Sequence, residues 1–198
     1  ACTTPAVAGI SVTTRSERLL QMRREVLKLV LASHPLDCPQ CDKGGECRLQ
    51  DLVYEHGIER SEYRIDREAA KGDFASPLIR YWEARCVLCG RCTRACREVS
   101  GRAGIDLAGR GMAARIEAME RNDCISCGEC LSLCPVGALT ESLSPVKSRV
   151  WQSTRIESTC PHCGFGCRLK LDVCDGRINK VLSGGQMPPN YGSLCLRG

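Results

Sequence analysis

The chain has 198 residues, of which 17 are cysteine and only 4% are aromatic. So much sulfur with so few rings argues against one large apolar core and for several small modules cross-linked through thiols or metal. The formal charge of +5 counts every thiol as neutral, so it gives no reason to expect a nucleic acid partner if those thiols bind metal as thiolates. No basic stretch followed by an apolar run opens the sequence, and no segment approaches the ~18 apolar residues of a membrane span. A cytoplasmic protein without a span is therefore expected, and the missing initiator Met suggests a piece of a longer chain.

Residues 1–13 read as an extended end-piece. Thr14-Arg-Ser-Glu17 has the form of a capping box. Leu19, Met22, Val26, Leu29 and Val30 follow at helical spacing, which predicts a helix over about 15–32, ended by His34-Pro35. From Leu36 to about Gly72 the chain is irregular and cysteine-bearing, with short helices expected near 48–56 and a link around Lys71–Pro77. Cys86–Cys96 then recurs as Cys124–Cys134, offset by 38 residues with identical spacing of the four cysteines in both copies. Between the copies, Ile105–Leu107 and Ala113–Ile116 flank the Gly109-Arg-Gly111 turn and predict a small hairpin. Ser142–Thr154 reads as a linker. Cys160 opens a last module with a strand over Leu169–Val173 and a turn at Asp175-Gly176.

The repeat carries the strongest chemical signal. Cys86-x2-Cys89-x2-Cys92-x3-Cys96 and Cys124-x2-Cys127-x2-Cys130-x3-Cys134-Pro135 each place three thiols around one corner of a cubane, with backbone N–H groups turned toward the sulfurs. The fourth cysteine of each run, on the following helix, is expected to reach the other cluster. One centre would then use Cys86, Cys89, Cys92 and Cys134, the other Cys124, Cys127, Cys130 and Cys96. Zinc sites take two separated ligand pairs rather than four cysteines within eleven residues, and cysteines this close pair poorly as disulfides. The repeat resembles a bacterial two-cluster ferredoxin, departing from it where Arg97 rather than Pro follows the fourth cysteine of the first run.

A second constellation is His34-x3-Cys38-x2-Cys41-x5-Cys47. Its spacing fits a Cys3His zinc site as well as an iron–sulfur centre. The stretch HPLDCPQCDKGGECRLQDL, however, resembles the histidine-ligated cluster site in the large iron–sulfur subunit of respiratory NADH dehydrogenase, a module shared with related hydrogenases and NAD-dependent formate dehydrogenases. That resemblance implies a [4Fe–4S] centre on these four residues. Neutral imidazole in place of a thiolate should raise its potential, as in Rieske centres.

The third constellation is Cys160-x2-Cys163-x3-Cys167 with Cys195 further on. Its surroundings, TCPHCGFGCRL and GSLCLRG, resemble the N-terminal cluster module of molybdopterin oxidoreductases, formate dehydrogenases especially. That family often has Lys two residues after the last cysteine, between cluster and pterin. Arg197 occupies the position here and is either a cofactor-binding residue or a solvated surface arginine. Ala1-Cys2-Thr-Thr-Pro5 resembles the last ligand segment of a plant-type [2Fe–2S] domain, and Cys174 reads as an ordinary buried thiol.

Fifteen cysteines and His34 thus make sixteen ligands, enough for four [4Fe–4S] clusters, whose charge would bring the loaded chain to about −2. There is no Ser-His-Asp set, phosphate loop or G-x-G-x-x-G, and no catalytic residue is expected in this segment. The module order resembles the N-terminal iron–sulfur region of the catalytic subunit of a NAD-dependent molybdenum or tungsten formate dehydrogenase; a complex I-like NADH dehydrogenase or another molybdopterin oxidoreductase is the alternative. The resemblance implies an α+β fold of small modules over 1–13, 14–72, 73–148 and 149–198. It also implies a [2Fe–2S] cluster with Cys2 as one ligand and a Mo/W bis-pterin in the longer chain. The implied partners are flavin/NAD-binding and further iron–sulfur subunits, with no nucleic acid and no membrane span.

Overall fold

The structure, a computed structural model, describes residues 4–65, 76–120, 123–143 and 148–198. The first helix, α1 (Glu17–Leu31), starts where Ser16 turns extended and its hydroxyl accepts the Leu19 N–H at 3.3 Å. The cap is therefore Ser16 and not the expected Thr14, whose carbonyl instead accepts from Arg23 at 2.8 Å. The shift follows from the backbone: Ser16 itself has the β-region dihedrals that an N-cap needs. A second helix, α2 (Arg48–Glu55), forms where short helices were expected. Arg24 bonds the His56 carbonyl and Ser61 the Lys28 carbonyl, closing the loop after α2 back onto α1.

The next module is built on two antiparallel pairs. Strand β1 (Ile79–Tyr81) pairs with β4 (Leu139–Glu141), and β2 (Ile105–Ala108) pairs with β3 (Arg115–Ala118). Each cysteine run leads into a short helix, α3 (Arg91–Arg94), extended by a π-helical turn over Ala95–Val99, and α4 (Glu129–Leu133). The expected hairpin is present, but its second strand begins later than foreseen because Gly111–Ala113 coil into a helical turn. Gly109, at φ +72°, is required there: a Cβ would run into the Ala113 carbonyl. Ile79, Ile105, Ile116 and Leu139 make the core of this module together with Cys92. A second core joins it to the helical module, with Leu27, Leu49 and Ile58 packed on Val136 and Ala138.

The last module is an antiparallel sheet of β5 (Thr154–Thr159), β6 (Arg168–Cys174) and β7 (Arg177–Ser183), in that order. The expected strand is β6, and Asp175 and Gly176 both adopt positive φ to turn it into β7. Strand β5 begins at the end of the expected linker and was not foreseen; Thr-Arg-Ile-Glu-Ser-Thr is exposed throughout and has a single apolar residue, so it lacks an alternating signal. The sheet docks on the helical module through Glu46, which accepts from Lys180 at 3.0 Å and from Arg155. Helices and small sheets together make the α+β fold. Cys2 and most of the expected 71–77 link fall outside the described residues. Among the described residues, no helix is long and apolar enough to cross a membrane.

Candidate iron–sulfur centres

The two cysteine runs of the repeat are folded alike. Leu88 and Ser126, 38 residues apart, are both left-handed at φ 52° and 54°, as are Gly90 and Gly128. Such a conformation is costly for leucine. It is held because it turns the Leu88 N–H onto the Cys86 sulfur and the Ser126 N–H onto the Cys124 sulfur, each at 3.4 Å. The expected inward turning of N–H groups is thus present in both copies.

Each run also receives the other's fourth thiol. Cys86, Cys89, Cys92 and Cys134 line one small cavity, floored by Ile116, Val136 and Leu139. Cys124, Cys127, Cys130 and Cys96 line another, beside Ile79, Ile105 and Ser100. Cys96 reaches across from the π-helical turn, a local widening frequent at functional sites. Cys134 does so from the end of α4 rather than from within it. The two sets lie near enough for Cys92 and Cys130 to affect each other electrostatically. Burial pushes both of these thiols up to about 12. Burial also raises Cys134, against backbone N–H groups of Val136, Leu139 and Ala138 that favour its thiolate. The Tyr81 hydroxyl is raised by burial and by its hydrogen bond to Cys86.

The histidine set gathers in the loop between α1 and α2. Cys41 and Cys47 are buried, and Cys38 is raised by burial and then by the neighbouring Cys47 and Cys41. The Nδ1 atom of His34 is buried with no hydrogen-bond partner, and burial holds the ring below its ordinary pKa. An orphaned buried imidazole nitrogen, four residues before Cys38 in sequence, fits a metal ligand far better than a helix cap. The loop is strapped from outside by a residue that sequence reasoning passed over. Arg149, within the expected linker, donates to the Cys41 carbonyl at 2.7 Å and to the Pro39 carbonyl. Gly137 of the repeat lies against this loop: a Cβ there would overlap the Cys41 sulfur.

In the terminal set, Cys167 is raised by burial and then by Cys160, Cys163 and Cys195, so the four thiols share one neighbourhood. Cys195 is lowered by backbone N–H groups of Gly198 and Arg197. Asn190 closes the long gap between Cys167 and Cys195, accepting the Arg168 N–H at 2.9 Å while its amide bonds the Ser193 carbonyl at 2.8 Å. No sequence signal had singled it out. Arg197 lines a cavity with Cys195 and with Cys127 of the repeat. Cys174, expected to be buried, is only partly so, because it ends β6 opposite Arg177.

Among the described residues, no three His, Cys, Asp or Glu side chains approach closely enough to share a single ion. A zinc site needs its ligands at about 2.0–2.3 Å from one point, whereas a cubane takes one ligand at each of four separate irons and spreads them wider. Two cavities each lined by four cysteines, together with the orphaned His34 nitrogen, fit the larger group.

The class of these modules is independently apparent. Residues 23–62 match the NADH-ubiquinone oxidoreductase-G iron-sulfur binding region, residues 76–140 the ferredoxin-like domain of NADH-quinone oxidoreductase subunit 3, and residues 153–198 the molybdopterin oxidoreductase Fe4S4 domain. All three matches are to iron–sulfur modules found in oxidoreductase subunits.

Among whole proteins, the NADPH-Fe(3+) oxidoreductase subunit alpha of Geobacter sulfurreducens is 38% identical across the whole chain, as is an NADH-quinone oxidoreductase G-type subunit of Rhizobium meliloti. The chain spans 24% of the length of each. It is thus like the N-terminal region of these larger polypeptides. Of solved structures, an NAD+-reducing [NiFe]-hydrogenase in the H2-reduced state is 31% identical with a TM-score of 0.66, over 75% of this chain and 66% of that one.

Two outcomes follow. Cys92 and Cys130 hold their protons at neutral pH and must lose them to bind iron, so loading expels protons and becomes more complete as pH rises. Anaerobic loading with iron and sulfide in weak buffer should acidify the solution and proceed further at about pH 8.5 than at about pH 7; equal loading at both would contradict the assignment of these thiols. Gly137→Ala should cost the histidine set its iron while the repeat keeps its own, measured as iron per chain and by the loss of one EPR signal.

Proposed function

We propose that this chain is an electron-relay segment in which His34, Cys38, Cys41 and Cys47; Cys86, Cys89, Cys92 and Cys134; Cys124, Cys127, Cys130 and Cys96; and Cys160, Cys163, Cys167 and Cys195 hold four [4Fe–4S] clusters. The observation that carries this reading is the pairing of two cavities with two complete, crossed sets of four cysteines. Bound clusters supply one-electron transfer, and all-protein ligation leaves them no open position for a substrate.

The residues support a row. Cys41 abuts Gly137 beside the first paired set, Cys92 neighbours Cys130, and Cys127 shares a cavity with Cys195. The terminal sheet also touches the histidine loop directly, where Glu46 beside Cys47 pairs with Lys180 and Arg155. N–H groups aimed at Cys86, Cys124 and Cys195 stabilise thiolate charge at each stage.

The finer reading is that the donor at the Cys195 end is formate, oxidised at a Mo/W bis-pterin site in a longer chain, with Arg197 toward that cofactor. Cys2 would then belong to a [2Fe–2S] domain, and a flavin-bearing partner would reduce NAD in the cytoplasm. What supports it is the combination of the CPHCGFGC module with eight cysteines retained in the repeat. A second reading, favoured by the 38% identical NADPH- and NADH-linked relatives, is a segment that carries electrons from a reduced nicotinamide to another acceptor.

One substitution separates them. In the full-length complex, Cys195→Ala should abolish formate-driven NAD reduction while NADH oxidation by an artificial dye persists. Formate-driven reduction that survives would remove Cys195 from the route. An unsubstituted complex that oxidises NADPH or NADH but never formate would select the second reading.

A further inference from the structure

Arg85 is the one arginine among the described residues that is buried, at 5% exposed. A buried guanidinium is tolerated only when its charge and donors are matched. Its Nε donates to the two Asp37 oxygens at 3.3 and 3.1 Å, and an Nη donates to Oδ2 at 2.5 Å. The guanidinium carbon lies 4.6 Å from the centre of the Trp82 ring. That ring is fixed in turn by its indole N–H on Thr140 at 3.1 Å, and the Trp82 main-chain N–H bonds the Ala138 carbonyl at 2.7 Å. Asp37 lies between His34 and Cys38, and Arg85 immediately precedes Cys86. One ion pair therefore ties the histidine loop to the start of the first cysteine run, 48 residues away in sequence. The Arg85 charge is felt at both His34 and Cys41.

We propose that Arg85 is a positioning residue for the histidine centre, and that its charge offsets Asp37 and keeps that centre's midpoint potential high. This rests on the reading of His34, Cys38, Cys41 and Cys47 as cluster ligands. Reduction adds a negative charge, which a nearby carboxylate opposes and a nearby guanidinium favours. Because Arg85 itself is buried, water screens its charge only in part. Lysine would keep the charge without the two-pronged grip.

The test is an anaerobic redox titration of the full-length protein followed by EPR, with nitrogen hyperfine coupling used to pick out the histidine-ligated signal. Arg85→Gln should reduce that centre's reduction equilibrium constant about tenfold, about 59 mV for a one-electron couple. Asp37→Asn should raise it to a similar degree, and the double substitution should return it near the starting value. Arg85→Lys should leave it close to unchanged, and the terminal centre, whose ligands are far from Arg85 in sequence, should not move. If the unsubstituted protein shows no nitrogen-coupled signal, the ligand reading itself fails. If the signal is present but Arg85→Lys lowers the potential as far as Arg85→Gln does, or neither single substitution moves it, the proposal is overturned and the ligand reading stands. Should Arg85→Gln prevent the centre from loading, Asp37→Asn decides: a rise supports the proposal and no change overturns it.

Discussion

Everything in this chain depends on returning one distant sulfur to three that lie close together. A Cys-x2-Cys-x2-Cys loop can arrange itself locally, but closure of the set requires tertiary structure. In the repeat that closure comes from strand β1 pairing with β4, which brings the residues after α4 back beside the start of the first run. In the terminal set it comes from Asn190, which folds the last loop against the beginning of β6. Metal bound at these sets as proposed would offset the loop-closure entropy of completing them.

This dependence explains the composition. The apolar clusters are small, and cysteines belong to them: Cys92 sits among Ile79, Ile105, Ile116 and Leu139, and Cys47 among Leu27, Leu49 and Ile58. Sulfur takes the place that large aromatic side chains hold in an ordinary core. The modules are then joined by charge as much as by apolar contact, through Arg85 with Asp37, Arg149 with the Cys41 carbonyl, and Glu46 with Lys180 and Arg155.

Much of this was legible from residue spacing. The repeat, the first helix and strand β6 all follow from local periodicity or from fixed gaps between cysteines. What was not legible depended on long-range partners. Strand β5 exists because β6 lies beside it, not because its own residues alternate. Arg149, Arg85 and Asn190 look like ordinary polar residues until the fold gives each a specific carbonyl or carboxylate. The N-cap fell on Ser16 rather than Thr14 because two hydroxyl residues within one turn offer the same chemical signal, and only the backbone chooses between them.

The exchange of Cys96 and Cys134 between the two runs bears on how such a repeat can change over generations. A duplicated segment ordinarily frees one copy to drift while the other keeps the original task. Here each copy lends a sulfur to its sibling, so decay of either is inherited by both cavities. A substitution in either fourth cysteine would therefore be felt in the cavity of the other run, and the two halves would be constrained as a single unit.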